Sequence, residues 1–176
     1  MKLLRRSEVS SGLRQFSPFL VVLTGVCIDL GTKAWARGAL EPYGAVREFL
    51  PFISLRLTFN EGISFSMLSF GSEGARMLLL AFTLLVSVAI AVWAWRASGL
   101  ERFSLCAILA GAVGNLIDRA LNGAVTDFLD LQLGAWPLFV FNLADVWITV
   151  GVVVLLLASF RGSSAPRMTG HDEGTS

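Results

Sequence analysis

The stretch from Gly111 to Asp145 reads GAVGNLIDRALNGAVTDFLDLQLGAWPLFVFNLAD. Both of its ends are apolar enough for membrane helix. Yet the stretch carries Asn115, Asp118, Arg119, Asp127, Asp130, Asn142 and Asp145. An ionisable side chain at membrane depth is costly and generally faces a protein interior or a wet cavity. A functional site is therefore expected here, with Asp127 and Asp145 at its centre.

The rest of the chain sets the class. Of its 176 residues 55% are hydrophobic and 15% charged, and mean hydropathy is +0.69. Soluble domains carry roughly 25% charged residues, so this chain has too few to cover a surface in water. A net charge of +1 gives no electrostatic basis for binding nucleic acid. Cys27 and Cys106 sit inside apolar runs and read as small buried hydrophobes, not as a disulfide or metal ligands.

Four spans follow from the hydrophobic runs, at about residues 16–36, 74–95, 101–119 and 138–160, each near the roughly 20 residues a bilayer requires. Residues 1–160 are expected to form one membrane domain, and 161–176 a disordered tail holding the single histidine, His171. A basic start before an apolar run also describes a signal peptide. Here the run continues into DLGTKAWA, not into a small-residue cleavage site, and further spans follow. Asp29 and Lys33 share a helix face at i, i+4. By themselves they read equally as an ion pair at the membrane boundary, with Lys33 snorkelling outward.

Two connecting segments alternate with the period of a strand. Ile53 to Phe59 runs into a turn at Asn60-Glu61-Gly62, and Ile63 to Leu68 then returns towards the membrane. Val125 to Leu133 places Asp127 on the apolar face with Val125, Leu129, Leu131 and Leu133, which structure alone does not explain. Asp130 falls on the other face, where solvation is expected. Pro137 is read as opening the last span, with Asn142 and Asp145 in its first two turns. Asn115, Asp118 and Arg119 cluster on one side of the third span, and Ala107, Gly111 and Gly114 give it a smooth packing face.

Basic residues orient the chain. Placing the N-terminus, the Arg96–Arg102 loop and the tail with Arg161 and Arg167 in the cytoplasm satisfies the positive-inside rule, although Arg37, Arg47 and Arg56 then lie outside. In that orientation the unusual polar residues of the first, third and fourth spans and of both outer loops gather at the outer face. Such convergence from distant positions is what an active site needs.

The available chemistry is narrow. A Ser-His-Asp triad lacks a usable histidine, and so does His-ligated zinc. A serine such as Ser64 activated by Lys33 would require that lysine to lose its proton beside Asp29. A pair of carboxylates needs neither metal nor covalent intermediate. One member holds a proton and polarises a carbonyl while the ionised member takes a proton from water. Asp127 and Asp145 fit that pattern.

The motif pieces DLGTK (29–33), NEGISF (60–65), GNLIDR (114–119), VTDF (125–128) and FNLAD (141–145), in this order across four spans, resemble those of lipoprotein signal peptidase, the signal peptidase II family. The resemblance runs from the first span to the fourth. It implies an α-helical integral membrane protein with four transmembrane helices and a small periplasmic β-cradle. It implies Asp127 and Asp145 as the catalytic dyad of a metal-free, cofactor-free aspartic endopeptidase. Asp29, Lys33, Asn60, Gly62, Asn115, Arg119 and Asn142 would line or brace the site, with Asp118 serving the helix end. The implied substrate is a prolipoprotein carrying a diacylglyceryl-cysteine at the membrane, cut just before that cysteine, and globomycin-type cyclic peptides are the implied inhibitors. Two positions depart from the family pattern: Ser64 stands where Ala is usual, and Ala112 where Gly is usual.

Two other classes of function fit some of the residues. A small transporter or proton-relay protein would also carry intramembrane Asp, Lys and Arg, but the inner halves of the spans are apolar apart from Ser87. A non-catalytic factor that binds lipoprotein signal sequences would leave the paired aspartates without a purpose.

Overall fold

The computed structural model describes residues 2–62, 72–134 and 136–162. The elements are α1 (Lys2–Ala39), β1 (Arg47–Leu50), β2 (Ile53–Asn60), α2 (Ser72–Arg96), α3 (Gly99–Asn122), β3 (Val125–Leu133), β4 (Trp136–Phe141) and α4 (Leu143–Gly162). Among the described residues, four helical segments are long and apolar enough to cross a membrane: Pro18–Ala39, Glu73–Arg96, Gly99–Asn122 and Leu143–Phe160. Large apolar side chains such as Leu85, Val153 and Leu157 are exposed along them, as expected where lipid is the solvent.

α3 is the central helix and packs against the other three. Its small residues permit this, with Ala107, Ala110, Gly111 and Gly114 all buried. A Cβ built at Gly111 would collide with the backbone oxygen of Ala144, so any side chain there would drive α4 away. At its far end α3 stops on Gly123, whose left-handed φ of 81° lets its N–H donate to the Arg119 carbonyl at 2.9 Å.

The strands form one antiparallel sheet in the order β1-β2-β3-β4. β2 and β3 pair Ser54 with Asp130 and Thr58 with Asp127, and a bulge lies between Leu55 and Thr58. The β3–β4 ladder reaches only Leu129 opposite Phe141. Among the described residues, β3 therefore has no strand on that side from Val125 to Phe128. Ala36, Leu40, Leu57 and Phe128 form a core that seats the sheet on the end of α1.

Several expectations need correction. The last helix begins at Leu143, not at residue 138, because Trp136 to Phe141, with Pro137, forms edge strand β4. Asn142 therefore precedes the helix. Asp130 is 1% exposed, not solvated. The second face of β3 is covered as well, for Thr126 and Phe128 are also buried against the end of α1. Cys27 is exposed on the outside of α1, and only Cys106 is buried. Arg37 belongs to the last turn of α1, not to a loop. Ser64, the Ile63–Leu68 return and residues 163–176 lie outside the described residues.

Candidate active site

The start of β3, the start of α4 and the ends of α1 and α3 meet around Asp127 and Asp145. Asp127 is 4% exposed. Its Oδ1 accepts from Asn142 Nδ2 at 2.6 Å and its Oδ2 from Asn60 Nδ2 at 3.2 Å. Asp145 accepts from Asn115 Nδ2 through Oδ1 at 3.0 Å, and from the Asn142 backbone N–H through Oδ2 at 3.1 Å.

Asn142 connects the two carboxylates, and local helix chemistry explains why. It is the N-cap of α4 and Asp145 is the third helical residue. The Asp145 N–H donates to Asn142 Oδ1 at 3.2 Å while the Asp145 carboxylate accepts the Asn142 N–H. This is the reciprocal arrangement of a capping box, built here from Asn and Asp. With its oxygen engaged, the Asn142 amide turns its NH2 towards Asp127.

The other two asparagines follow the same rule. Asn60 Oδ1 accepts from the Gly62 N–H at 2.9 Å, so its NH2 faces Asp127. Asn115 Oδ1 accepts from Lys33 Nζ at 2.7 Å, so its NH2 faces Asp145. In each case a dedicated donor fixes the amide orientation.

The cations are held in turn. Lys33 is fully buried and its Nζ lies 2.7 Å from Asp29 Oδ2. Asp29 Oδ1 accepts the Ala144 N–H at 2.8 Å, which satisfies an open donor at the start of α4. Gly114 leaves room for that carboxylate, since a Cβ there would stand 2.5 Å from Asp29 Oδ2. Gly62 has φ 74° and abuts Leu79 and the Arg119 guanidinium. Arg119, 8% exposed, donates to the Asn60 carbonyl at 3.5 Å, and its Nε has no partner among the described residues. Asp29, Lys33, Asn60, Gly62, Asn115, Arg119 and Asn142 thus join Asp127 and Asp145 in one network. Asp118 serves the end of α3, accepting from Asn122 at 2.8 Å and from the Thr126 N–H at 2.6 Å.

Burial pushes the Asp127 carboxyl up to about 6. The neighbouring Asp145 charge adds to the rise, while the Asn142 and Asn60 amides and Lys33 oppose it. An open depression of about 470 Å³, lined by Tyr43, Thr58, Phe59, Asn60, Gly62 and Val140, leads onto this carboxylate. The site therefore joins two close carboxylates, one with a raised proton affinity, to an open depression. Sequence reasoning missed Arg37 and Thr126. The only available signal was their position, one turn beyond Lys33 and one residue before Asp127.

The family model described as Signal peptidase (SPase) II matches residues 21–161. The chain belongs to the signal peptidase II family. The lipoprotein signal peptidases of Brucella ovis and of Brucella abortus strain 2308 are each 37% identical to it over 158 residues, covering 88% of this chain and 96% of theirs. A solved bacterial membrane enzyme superposes with a TM-score of 0.73 at 25% identity, covering 82% of this chain and 93% of its own. A second, at 23% identity, shares the fold with a TM-score of 0.71. The chain is thus a multi-pass peptidase of the bacterial inner membrane, and family membership sets aside the transporter and binding-factor readings.

Proposed function

We propose that Asp127 and Asp145 form an aspartic dyad that removes the signal peptide from diacylglyceryl-modified prolipoproteins, cutting just before the modified cysteine. The observation that carries this reading is the bridge through Asn142, which locks one carboxylate at a helix N-terminus and holds the other by its amide. One carboxylate is protonated and the other ionised, and they titrate as a pair. The ionised member takes a proton from water as the water attacks the scissile carbonyl. The protonated member gives its proton to the carbonyl oxygen. Collapse of the tetrahedral intermediate returns a proton to the departing cysteine amine. The three amides set the carboxylate geometry before substrate arrives, so little reorganisation is needed during reaction.

With both termini in the cytoplasm, the dyad faces the outer leaflet. The diacylglyceryl chains can then stay in lipid while water reaches the bond. Lys33 is engaged with Asp29 and Asn115, which favours a counter-ion role over activation of Ser64. Globomycin-type peptides are expected to compete for the same depression.

The test is cleavage by the purified full chain in detergent micelles. Diacylglyceryl-modified and unmodified prolipoprotein would be compared, with and without chelator and a globomycin-type peptide. The expected result is cleavage of the modified substrate only, indifferent to chelator and blocked by the peptide. Chelator-sensitive cleavage, or equal cleavage of both substrates, would overturn the reading.

A further inference from the structure

Asp127 needs support on the side of β3 that β4 does not reach. The last β3–β4 pair is Leu129 with Phe141, and Asp127 lies two residues earlier. A strand backbone without a neighbour leaves polar groups that something else must satisfy. At Thr126 one side chain from another element satisfies the backbone, and a second holds the hydroxyl. Asp118, on α3, accepts the Thr126 N–H through Oδ2 at 2.6 Å. Arg37, on the last turn of α1, donates from one nitrogen to Asp118 Oδ1 at 2.8 Å and to Thr126 Oγ1 at 2.8 Å. Thr126 and Asp118 are both fully buried.

Arg37, Asp118 and Thr126 thus form a closed triangle tying α1, α3 and β3 together one residue before Asp127. Arg37 also supplies the nearest positive charge to Asp118, since Lys33 Nζ stands 3.9 Å away and pairs more closely with Asp29. Without Arg37, the carboxylate that grips the strand would lose its close counter-ion, and the Thr126 hydroxyl would lose its donor. A buried carboxylate without a close counter-ion is poorly compensated, and any displacement of it loosens its hold on the strand.

We propose that Arg37 is a positioning residue for the cleavage reaction: by bridging Asp118 and Thr126 it fixes the strand residue before Asp127 and thereby the place of the Asp127 carboxylate relative to Asp145. This rests on Asp127 being catalytic. Arg37 touches neither carboxylate of the dyad directly and is itself 30% exposed, so its replacement reaches the chemistry only through Asp118 and Thr126. Displacements of this kind are costly because acid–base catalysis depends on tenths of an ångström.

The experiment is a double-mutant cycle on the full chain in micelles, measuring kcat and KM on diacylglyceryl-modified prolipoprotein. Arg37→Gln and Thr126→Val, an isosteric change that suits a strand, would be made singly and together. Arg37→Lys and Thr126→Ser serve as conservative rescues, and thermal unfolding is recorded for each. The expected result is a kcat about tenfold lower in each single variant with KM within about twofold. The double variant should be no slower than the singles, and both conservative variants should recover most of the rate. Wild-type kcat in Arg37→Gln, an additive loss of about a hundredfold in the double, or a change in KM alone would overturn the proposal. If Arg37→Gln does not fold, Thr126→Val against Thr126→Ser decides: a tenfold gap supports it and equal rates overturn it. Asp127→Asn is run beside these, for its retained activity would bring down the dyad reading, whereas its inactivity beside a fully active Arg37→Gln would bring down this inference only.

Discussion

Replacing Asp127 by Asn should make the protein inactive and, at neutral pH, more stable. The reasoning starts from burial, which raises the Asp127 carboxyl from 3.8 to about 6. A carboxyl raised on folding contributes stability below its unfolded value, and that contribution is lost as pH rises through the folded value. Here the loss falls between pH 3.8 and about 6. The shift corresponds to a cost on the order of 3 kcal/mol at pH 7.5. Asparagine removes the charge and with it this cost. It also gives something back, because its NH2 meets either Asn142 Nδ2 or Asn60 Nδ2, donor against donor, where the carboxylate accepted from both. One such loss costs about 1 kcal/mol. The net gain is about 1–2 kcal/mol, or about 3–6 °C in Tm for a chain of this length. The assay is thermal unfolding in micelles followed by a thiol-reactive dye, in a Cys27→Ser background so that buried Cys106 reports global unfolding. The Tm difference between variant and wild type should grow from pH 5 to pH 7.5. A difference independent of pH, or one that shrinks over that interval, would refute the reasoning.

Other outcomes follow from the same network. Lys33→Met strands the fully buried Asp29 carboxylate. It should cost about 3–5 kcal/mol and lower Tm by about 10 °C, read by the same melts. Gly114→Ala drives a methyl against Asp29 Oδ2 and should destabilise by about 1–3 kcal/mol with loss of cleavage, whereas Gly38→Ala, which meets nothing within 4 Å, should be silent in both assays. The singly protonated dyad is the active form, so kcat/KM should fall as pH rises above about 6, where the pair loses its shared proton. A pH profile that climbs through pH 6 and stays flat above it would contradict this.

Much of the molecule is legible in its sequence because membrane burial leaves a coarse signal. Long apolar runs announce the helices, and a carboxylate on an apolar strand face announces Asp127. The start of α4 is harder to read. Trp136 to Phe141 is apolar and runs directly into the helix, and short apolar runs do not separate strand from helix by periodicity. The deciding local signal was Asn142 three residues before Asp145, a capping pair in which each side chain accepts the other's N–H. Asp130 was misread because alternation predicts two faces of a strand but not what lies over them. Arg37 escaped notice for a related reason. It looks like any basic residue at a helix end until folding brings Asp118 and Thr126 to it from about 80 and 90 residues away.

The central claim is that Asp127 and Asp145 act as one unit. Its most direct test is the single-turnover rate of prolipoprotein cleavage in Asp127→Asn, in Asp145→Asn and in the double variant, each checked for folding by its melting curve. The account predicts that each single change removes nearly all activity and that the double variant is no slower than either, because half a dyad has no function left to lose. A single variant within tenfold of wild type, or a double variant whose losses multiply, would contradict it.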